Sequence, residues 1–110
     1  DLGMIRHISK MVAVMYLGKI VELGPARELY ARARHPYTKA LLSAVPLHNP
    51  EQEAKRERTI LVGDVPSPAN PPTGCPFRTR CPVAETRCAA SMPEPKYLDS
   101  SHWVSCHLVD

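Results

Sequence analysis

The chain has 110 residues, which is enough for one small hydrophobic core and too few for two. Only 5% of the residues are aromatic and 12 are proline, so we expect a thin core and long loops. The net charge of +3 is too weak an excess to indicate nucleic-acid binding, which usually shows as a dense basic face. No apolar run approaches the ~20 residues that a membrane-spanning helix needs. We therefore expect neither a nucleic-acid partner nor direct membrane insertion.

The N-terminal segment predicts a short helix that begins at Asp1. Aspartate is a common N-cap, and Asp1 leads directly into the segment 2–8. His7 would lie in this helix, and we interpret it as a surface or packing residue, because no carboxylate or nucleophile is visibly arranged with it. The chain starts at Asp1 rather than Met and lacks the residue order of a secretory signal. We expect a soluble, unexported segment from the downstream part of a longer protein.

The segment 11–32 predicts a β-hairpin followed by a helix. Two β-prone runs, 11–17 and 20–24, are separated by Gly18-Lys19, which suggests a type II′ turn with Gly18 at the first central position. Pro25 suits the first position of a helix, and the residues from Ala26 to Arg32 are mostly good helix formers. We expect strand, turn, strand and helix in that order.

A second helix is predicted from Pro36 to Pro46. Its apolar residues recur at the spacing of one buried helical stripe, which comprises Tyr37, Ala40, Leu41, Ala44 and Val45. His35 precedes the helix, and we interpret it as a residue whose side chain hydrogen-bonds the helix start. This helix should pack on the hairpin.

Composition divides the chain into three parts with an α+β fold overall. Residues 1–47 are regular and apolar, with a β-hairpin and two or three short helices. Residues 48–58 are a charged connector in which acidic and basic residues alternate. Residues 59–110 hold most of the prolines and all four cysteines. We expect this last part to be a small, Pro-rich lobe of loops and short helices.

The four cysteines, Cys75, Cys81, Cys88 and Cys106, are the candidate functional residues. Four thiols in a small chain usually form two disulfides or one metal site. Disulfides are disfavoured without an export signal, and the spacing C-x5-C-x6-C-x17-C lacks the close ligand pairs of structural zinc sites. Iron–sulfur clusters accept thiolates from wider intervals. Disulfides, zinc, a cluster and four unconnected thiols remain open on this pattern alone, as does ligation by His102 or His107.

Two Cys-Pro pairs, Cys75-Pro76 and Cys81-Pro82, predict how the thiols are presented. Proline suits the first turn of a helix, so each pair would place a thiolate ahead of a short helix and near its free N–H groups. A helix over 82–87 would then bring Cys81 and Cys88 near one face. A bound centre would tie Cys106 in the tail to this loop and compensate for a scarce hydrophobic core. Two tail aromatics, Tyr97 and Trp103, would cover the site from water.

Several segments resemble a known family. Residues 12–46, which include His35-Pro36-Tyr37-Thr38, are similar to the C-terminal part of the ATP-binding subunits of bacterial oligopeptide and dipeptide ABC importers. The segments 63–68 (GDVPSP) and 74–82 (GCPFRTRCP) resemble the same branch. The resemblance spans essentially the whole chain.

The resemblance implies a role for each part of the chain. Residues 1–47 would be the end of an ABC nucleotide-binding domain with its HPYT helix, and 59–110 the additional C-terminal domain of the peptide importers. In some members four cysteines hold a [4Fe-4S] cluster, and Cys75, Cys81, Cys88 and Cys106 match those positions. The cluster would be structural or regulatory. A zinc ion in an independent protein-interaction module is the alternative.

The resemblance also implies that ATP hydrolysis belongs to the intact parent and not to these 110 residues. In the family, Asp-Leu-Gly directly follows the switch histidine, and no G-x-x-x-x-G-K-[ST] phosphate loop occurs here. The magnesium-holding strand would also lie upstream. We expect no catalytic or ATP-binding residue in this chain. The parent would bind ATP and magnesium and pair with a second ATP-binding subunit. Together they would drive membrane permease subunits from the cytoplasmic face of the bacterial inner membrane.

Overall fold

A computed structural model describes residues 5–8, 10–44, 49–56 and 60–109. In these residues five strands form one antiparallel sheet of order β1-β2-β3-β5-β4. The strands are β1 (Ile5–Ile8), β2 (Met11–Tyr16), β3 (Lys19–Pro25), β4 (Lys96–Tyr97) and β5 (Trp103–Val104). The helices are α1 (Ala26–Arg32), α2 (Pro36–Ser43), α3 (Pro50–Lys55), a 3₁₀ helix (Pro76–Thr79) and α4 (Thr86–Ala90). The α+β class is confirmed, and none of the described helices has the length and apolarity to cross a membrane.

The segment before the hairpin is a strand, so the predicted N-terminal helix is wrong over Ile5–Ile8. This strand pairs with β2 from Ile5 opposite Val14 to Ile8 opposite Met11. A four-residue segment has little helical preference of its own, and pairing with a neighbouring apolar strand overrides it. His7 therefore lies on a strand, and the predicted cap Asp1 lies outside the described residues.

The predicted hairpin is present, but its turn is of a different type. Tyr16 pairs with Lys19, which leaves Leu17 and Gly18 as the two central residues. Both have positive φ, 51° and 79°, as a type I′ turn requires and a type II′ turn does not. The twist of a type I′ turn matches the right-handed twist of paired strands, and this outweighs the cost of a leucine with positive φ.

Helices α1 and α2 follow the hairpin as predicted. In α2 the stripe residues Tyr37, Ala40 and Leu41 are buried, whereas Ala44, expected to be buried, is exposed at the helix end. The last stripe residue, Val45, is outside the described part of the chain. His35 Nδ1 accepts a hydrogen bond from the Tyr37 backbone N–H at 3.0 Å, which confirms the predicted cap.

The hydrophobic core joins the N-terminal part of the chain to the Pro-rich part. Tyr16 of the hairpin and Tyr37 of α2 both pack against Phe77, with ring centroids 5.1 Å apart in each pair. Phe77 is only 1% exposed although it lies in the Pro-rich half. A second cluster, formed by Val104, Cys106 and Val109, lies in the tail.

The sheet joins the same two parts. β5 extends the hairpin sheet, with Glu22 opposite Val104 and Leu23 opposite Trp103. The boundaries at 47 and 59 remain a prediction, and α3 lies between them with Asn49 as its cap. The pairing of β3 with β5 determines where the tail lies relative to the rest of the protein.

Candidate metal centre

The four candidate cysteines lie on four separate local structures. Cys75 is the N-cap of the 3₁₀ helix, Cys81 precedes a turn, Cys88 lies in α4 and Cys106 follows β5 by two residues. All four are free thiols. Cys88 and Cys106 are buried, and Cys75 and Cys81 are half-buried. The site is therefore assembled by tertiary structure and not by one compact motif.

A close backbone contact connects the first of these structures to α4. The Cys75 backbone N–H donates to the Cys88 carbonyl at 2.8 Å. Gly74 makes this approach possible, because a Cβ there would overlap the Cys88 carbonyl oxygen and the Ala89 backbone. Its φ of 67° also favours glycine. The residue before the first cysteine is thus required to be small for a steric reason.

Burial raises the pKa of three of the thiols, those of Cys75, Cys81 and Cys106. In each case a backbone N–H two residues further along the chain opposes this shift in part. These N–H groups belong to Phe77, Val83 and Leu108 respectively. The three sulfurs therefore share one kind of environment, an apolar surrounding with a nearby peptide N–H.

The four thiols also affect one another. A charge on Cys81, Cys88 or Cys106 raises the pKa of Cys75, and the remaining pairs interact in the same sense. Every pairing of the four is represented, so the fold brings them into one neighbourhood. In the part of the chain that the structure describes, however, no group of three or more His, Cys, Asp or Glu side chains forms a metal-ion site. The mutual pKa effects indicate that the thiols lie near one another, and metal binding by them remains a prediction.

Of the two helices predicted next to the Cys-Pro pairs, one is present and one is not. A 3₁₀ helix follows Cys75 as expected, but Pro82 and Val83 form a turn, so the predicted helix over 82–87 is wrong. Helix α4 begins only at Thr86, because Glu85 has extended backbone geometry and acts as its N-cap. The Cys88 Sγ instead accepts from the Glu85 backbone N–H at 3.4 Å. It is therefore Cys88, and not Cys81, that lies in the first turn of an α-helix.

The two histidines considered as alternative ligands have other partners. The His102 Nε2 lies 2.6 Å from a Glu22 carboxylate oxygen, and the His107 Nε2 donates to the Ser91 carbonyl at 2.7 Å. Tyr97, expected to cover the thiols, is 70% exposed and cannot shield them. Trp103 is half-buried opposite Leu23, and its covering role stays a prediction.

Sequence reasoning missed Glu22, which is fully buried in β3. Its carboxylate accepts hydrogen bonds from the backbone N–H groups of Arg34 and His35, at 3.0 and 2.9 Å, as well as facing His102. The available signal was a single acidic residue inside an otherwise apolar strand. Such a residue is almost never fully buried unless it is paired.

A cleft of about 120 Å³ opens beside Cys75. Its lining is mostly apolar and includes Tyr16, Ile20, Phe77 and Met92. Because Cys75 lines this cleft, solvent can reach its half-buried side chain.

The sequence of this chain is similar to that of known transport proteins. The family described as "Oligopeptide/dipeptide transporter, C-terminal region" matches residues 21–88. The chain is 56% identical over 108 residues to the oligopeptide transport ATP-binding protein AppF of Bacillus subtilis, covering 98% of this chain and 33% of AppF. It is 50% identical over 106 residues to the oligopeptide transport ATP-binding protein OppF of Haemophilus influenzae, covering 96% and 32% respectively. The chain thus spans about a third of the length of these relatives.

Proposed function

Since the chain belongs to the family of oligopeptide/dipeptide transporter C-terminal regions, we propose that it is the C-terminal segment of the ATP-binding subunit of a bacterial peptide ABC importer. The observation that carries this proposal is the 56% identity to AppF across 98% of the chain. Such identity over nearly the full length includes the hairpin, the HPYT helix and the Pro-rich half together.

In the proposed parent, ATP and magnesium bind to residues outside this chain. The parent pairs with a second ATP-binding subunit and drives membrane permease subunits, working at the cytoplasmic face of the inner membrane as a peripheral protein. ATP acts there by closing and reopening the pair of ATP-binding subunits. This chain contributes no catalytic residue in the proposal, and its part is to complete the fold of the subunit.

The proposal also includes a [4Fe-4S] cluster held by Cys75, Cys81, Cys88 and Cys106. The donor set fits, because four free thiols from four local structures share one neighbourhood, and thiolates are the protein ligands of such clusters. The bound cluster would supply a covalent cross-link among these segments. The thiols' peptide N–H neighbours would stabilise the charge on the sulfurs.

The role proposed for the cluster is structural or regulatory. It would fasten the tail that carries Cys106 to the Pro-rich loop, and the buried apolar cluster of the tail itself is small, with Val104, Cys106 and Val109 as its described members. Metal centres commonly replace a hydrophobic core in small lobes of this kind. Loss of the cluster would then loosen the tail first.

A zinc-binding protein-interaction module is the second candidate. Four thiolates are also a common donor set for structural zinc, and the four cysteines are all free. Zinc would provide the same cross-link without colour or redox activity. The two candidates therefore differ in the metal and not in the residues.

Anaerobic purification followed by metal analysis separates these candidates. We expect a brown protein with a broad absorption band at about 400 nm and with iron and acid-labile sulfide. Replacing any one of the four cysteines by serine should remove the colour. Ser105→Ala, which changes the neighbour of Cys106 and keeps all four thiols, is the matched control and should retain it. A colourless wild-type protein with stoichiometric zinc would overturn the cluster and support the second candidate.

The assignment to an ATP-binding subunit is tested separately by the coding sequence upstream of Asp1. We expect it to encode a phosphate loop, followed by a histidine immediately before Asp1. An upstream sequence that encodes an unrelated protein, or a start codon directly before Asp1, would contradict the assignment.

A further inference from the structure

The tail strand that carries Cys106 toward the other thiols is very short. Only two residues, Trp103 and Val104, pair with β3, and one further bond runs from the Ser105 backbone N–H to the Val21 carbonyl at 2.8 Å. So short a strand specifies its register weakly. A slip of one residue along β3 would turn Val104 to the opposite face of the sheet, because strand side chains alternate, and it would displace Cys106, which follows two residues later.

A buried polar contact lies directly beside this strand pairing. His102, the residue before β5, is 2% exposed, and its Nε2 is 2.6 Å from the Oε2 of Glu22, which is 0% exposed. Glu22 lies on β3 opposite Val104. The contact therefore joins the two strands whose register is in question, through residues 80 positions apart in the chain.

Glu22 and His102 each form further hydrogen bonds besides their contact with one another. The Glu22 carboxylate accepts from the backbone N–H groups of Arg34 and His35, which fix it to the linker between α1 and α2. On the other side, the Asp99 carboxylate accepts from the His102 backbone N–H at 3.0 Å, and the His102 carbonyl accepts from Leu98 N–H at 2.8 Å. The His102 bonds are local to the segment that carries β4 and β5, whereas Glu22 cannot follow a slip of that segment without losing its bonds to Arg34 and His35.

We propose that Glu22 and His102 are positioning residues that fix the register of β5 on β3 and thereby place Cys106 with Cys75, Cys81 and Cys88. The inference rests on the proposed function in taking the four thiols as one site. A slipped strand leaves Glu22 buried without its imidazole partner and His102 without an acceptor, and buried groups without partners are costly. Specifying one arrangement among close alternatives is the best-attested use of a buried polar pair.

The test measures alkylation of each cysteine in the reduced, metal-free 110-residue chain, with mass spectrometry to separate the four sites. In His102→Leu we expect the alkylation rate of Cys106 relative to Cys75 to rise about tenfold or more, since only Cys106 depends on the register of β5. His102→Gln retains an N–H near the position of Nε2, and it should restore most of the protection. A purely structural role would raise the rates at all four thiols together.

Glu22→Gln and Glu28→Gln form a matched pair for the other partner. Both make the same chemical change, but Glu28 is half-buried, at 32% side-chain exposure, and pairs only with Arg32 at 3.2 Å among the contacts described for its side chain. We expect selective exposure of Cys106 in Glu22→Gln and no change in Glu28→Gln. If His102→Leu does not fold, Glu22→Gln and Glu28→Gln test the proposal through the same ratio of Cys106 to Cys75 alkylation.

Two results would overturn the inference: an unchanged ratio of Cys106 to Cys75 alkylation in folded variants, or an equal rise at both thiols. Because the chain is metal-free throughout, the outcome does not depend on the cluster. A wild-type protein that binds no iron, combined with selective exposure of Cys106 in the variants, would refute the proposed cofactor and leave the positioning role standing.

Discussion

His35 links a helix cap to the hydrophobic core. Its Nδ1 accepts from the Tyr37 backbone N–H, and its ring packs 5.6 Å from that of Phe77. The residue is 1% exposed, and burial lowers its pKa to about 4, although the nearby Glu22 carboxylate acts in the opposite direction. The imidazole is therefore neutral in the folded protein at pH 7.

This lowered pKa predicts loss of stability in mild acid. Between pH 6.5 and about 4 the unfolded chain binds a proton at His35 that the folded protein does not bind, so the free energy of unfolding falls as the pH falls. We expect His35 to contribute a loss of about 2 kcal/mol between pH 7 and pH 5. Chemical denaturation at a series of pH values measures it.

His35→Asn is the variant that isolates the contribution. Asparagine is a preferred N-cap, so the start of α2 keeps an acceptor while the titrating group is removed. The variant should be less stable at pH 7, because the buried ring contacts are lost, but its stability should depend less on pH. Parallel pH profiles for the two proteins would show that His35 is not the source.

Gly18 and Gly74, two of the three described glycines with positive φ, lie where the chain changes direction sharply. Gly18 closes the hairpin between β2 and β3, and a Cβ there would meet nothing within 4 Å. Gly74 precedes the first cysteine, and a Cβ there would overlap the backbone of Cys88 and Ala89. Position 18 therefore favours glycine only because of its positive φ. Position 74 favours glycine because of its positive φ and because a Cβ would clash with neighbouring backbone atoms.

The pair Gly18→Ala and Gly74→Ala separates these two causes. We expect Gly18→Ala to lower the free energy of unfolding by about 1–2 kcal/mol, the cost of a left-handed alanine. Gly74→Ala should cost more than about 3 kcal/mol, because α4 must also move away from Cys75. It should in addition raise the alkylation rate of Cys88, which Gly18→Ala should leave unchanged. Equal effects of the two substitutions would contradict the close approach at Gly74.

The whole molecule is held together across its predicted divisions. Phe77 from the Pro-rich half fills the core between Tyr16 and Tyr37, and β5 extends the sheet of the hairpin. Neither half can lose these contacts without exposing apolar surface of the other. The two parts should therefore unfold together.

Coincident unfolding is the measurable consequence. Trp103, the single tryptophan, reports on β5, and far-ultraviolet circular dichroism reports on all elements. We expect the two signals to give the same midpoint, and Phe77→Ala to lower the stability by about 3–5 kcal/mol in both. Val62→Ala, at a site that is 78% exposed, is the control and should change the stability by less than about 0.5 kcal/mol. Separate transitions would mean that the halves are independent.

Local sequence patterns determined the hairpin, the helices α1 and α2 and the His35 cap, because strand propensity, proline position and helical spacing act over a few residues. The same reasoning failed at Ile5–Ile8, where pairing with β2 outweighs a weak local preference. The family followed from the resemblance of several segments to known proteins. Only the tertiary structure decided that β5 lies on β3, that Phe77 enters the core and that Glu22 is buried against His102. These contacts join residues far apart in the chain, and their energy exists only once the intervening segments have folded. The convergence of the four thiols belongs to this second group, since no spacing of cysteines by itself brings their sulfurs together.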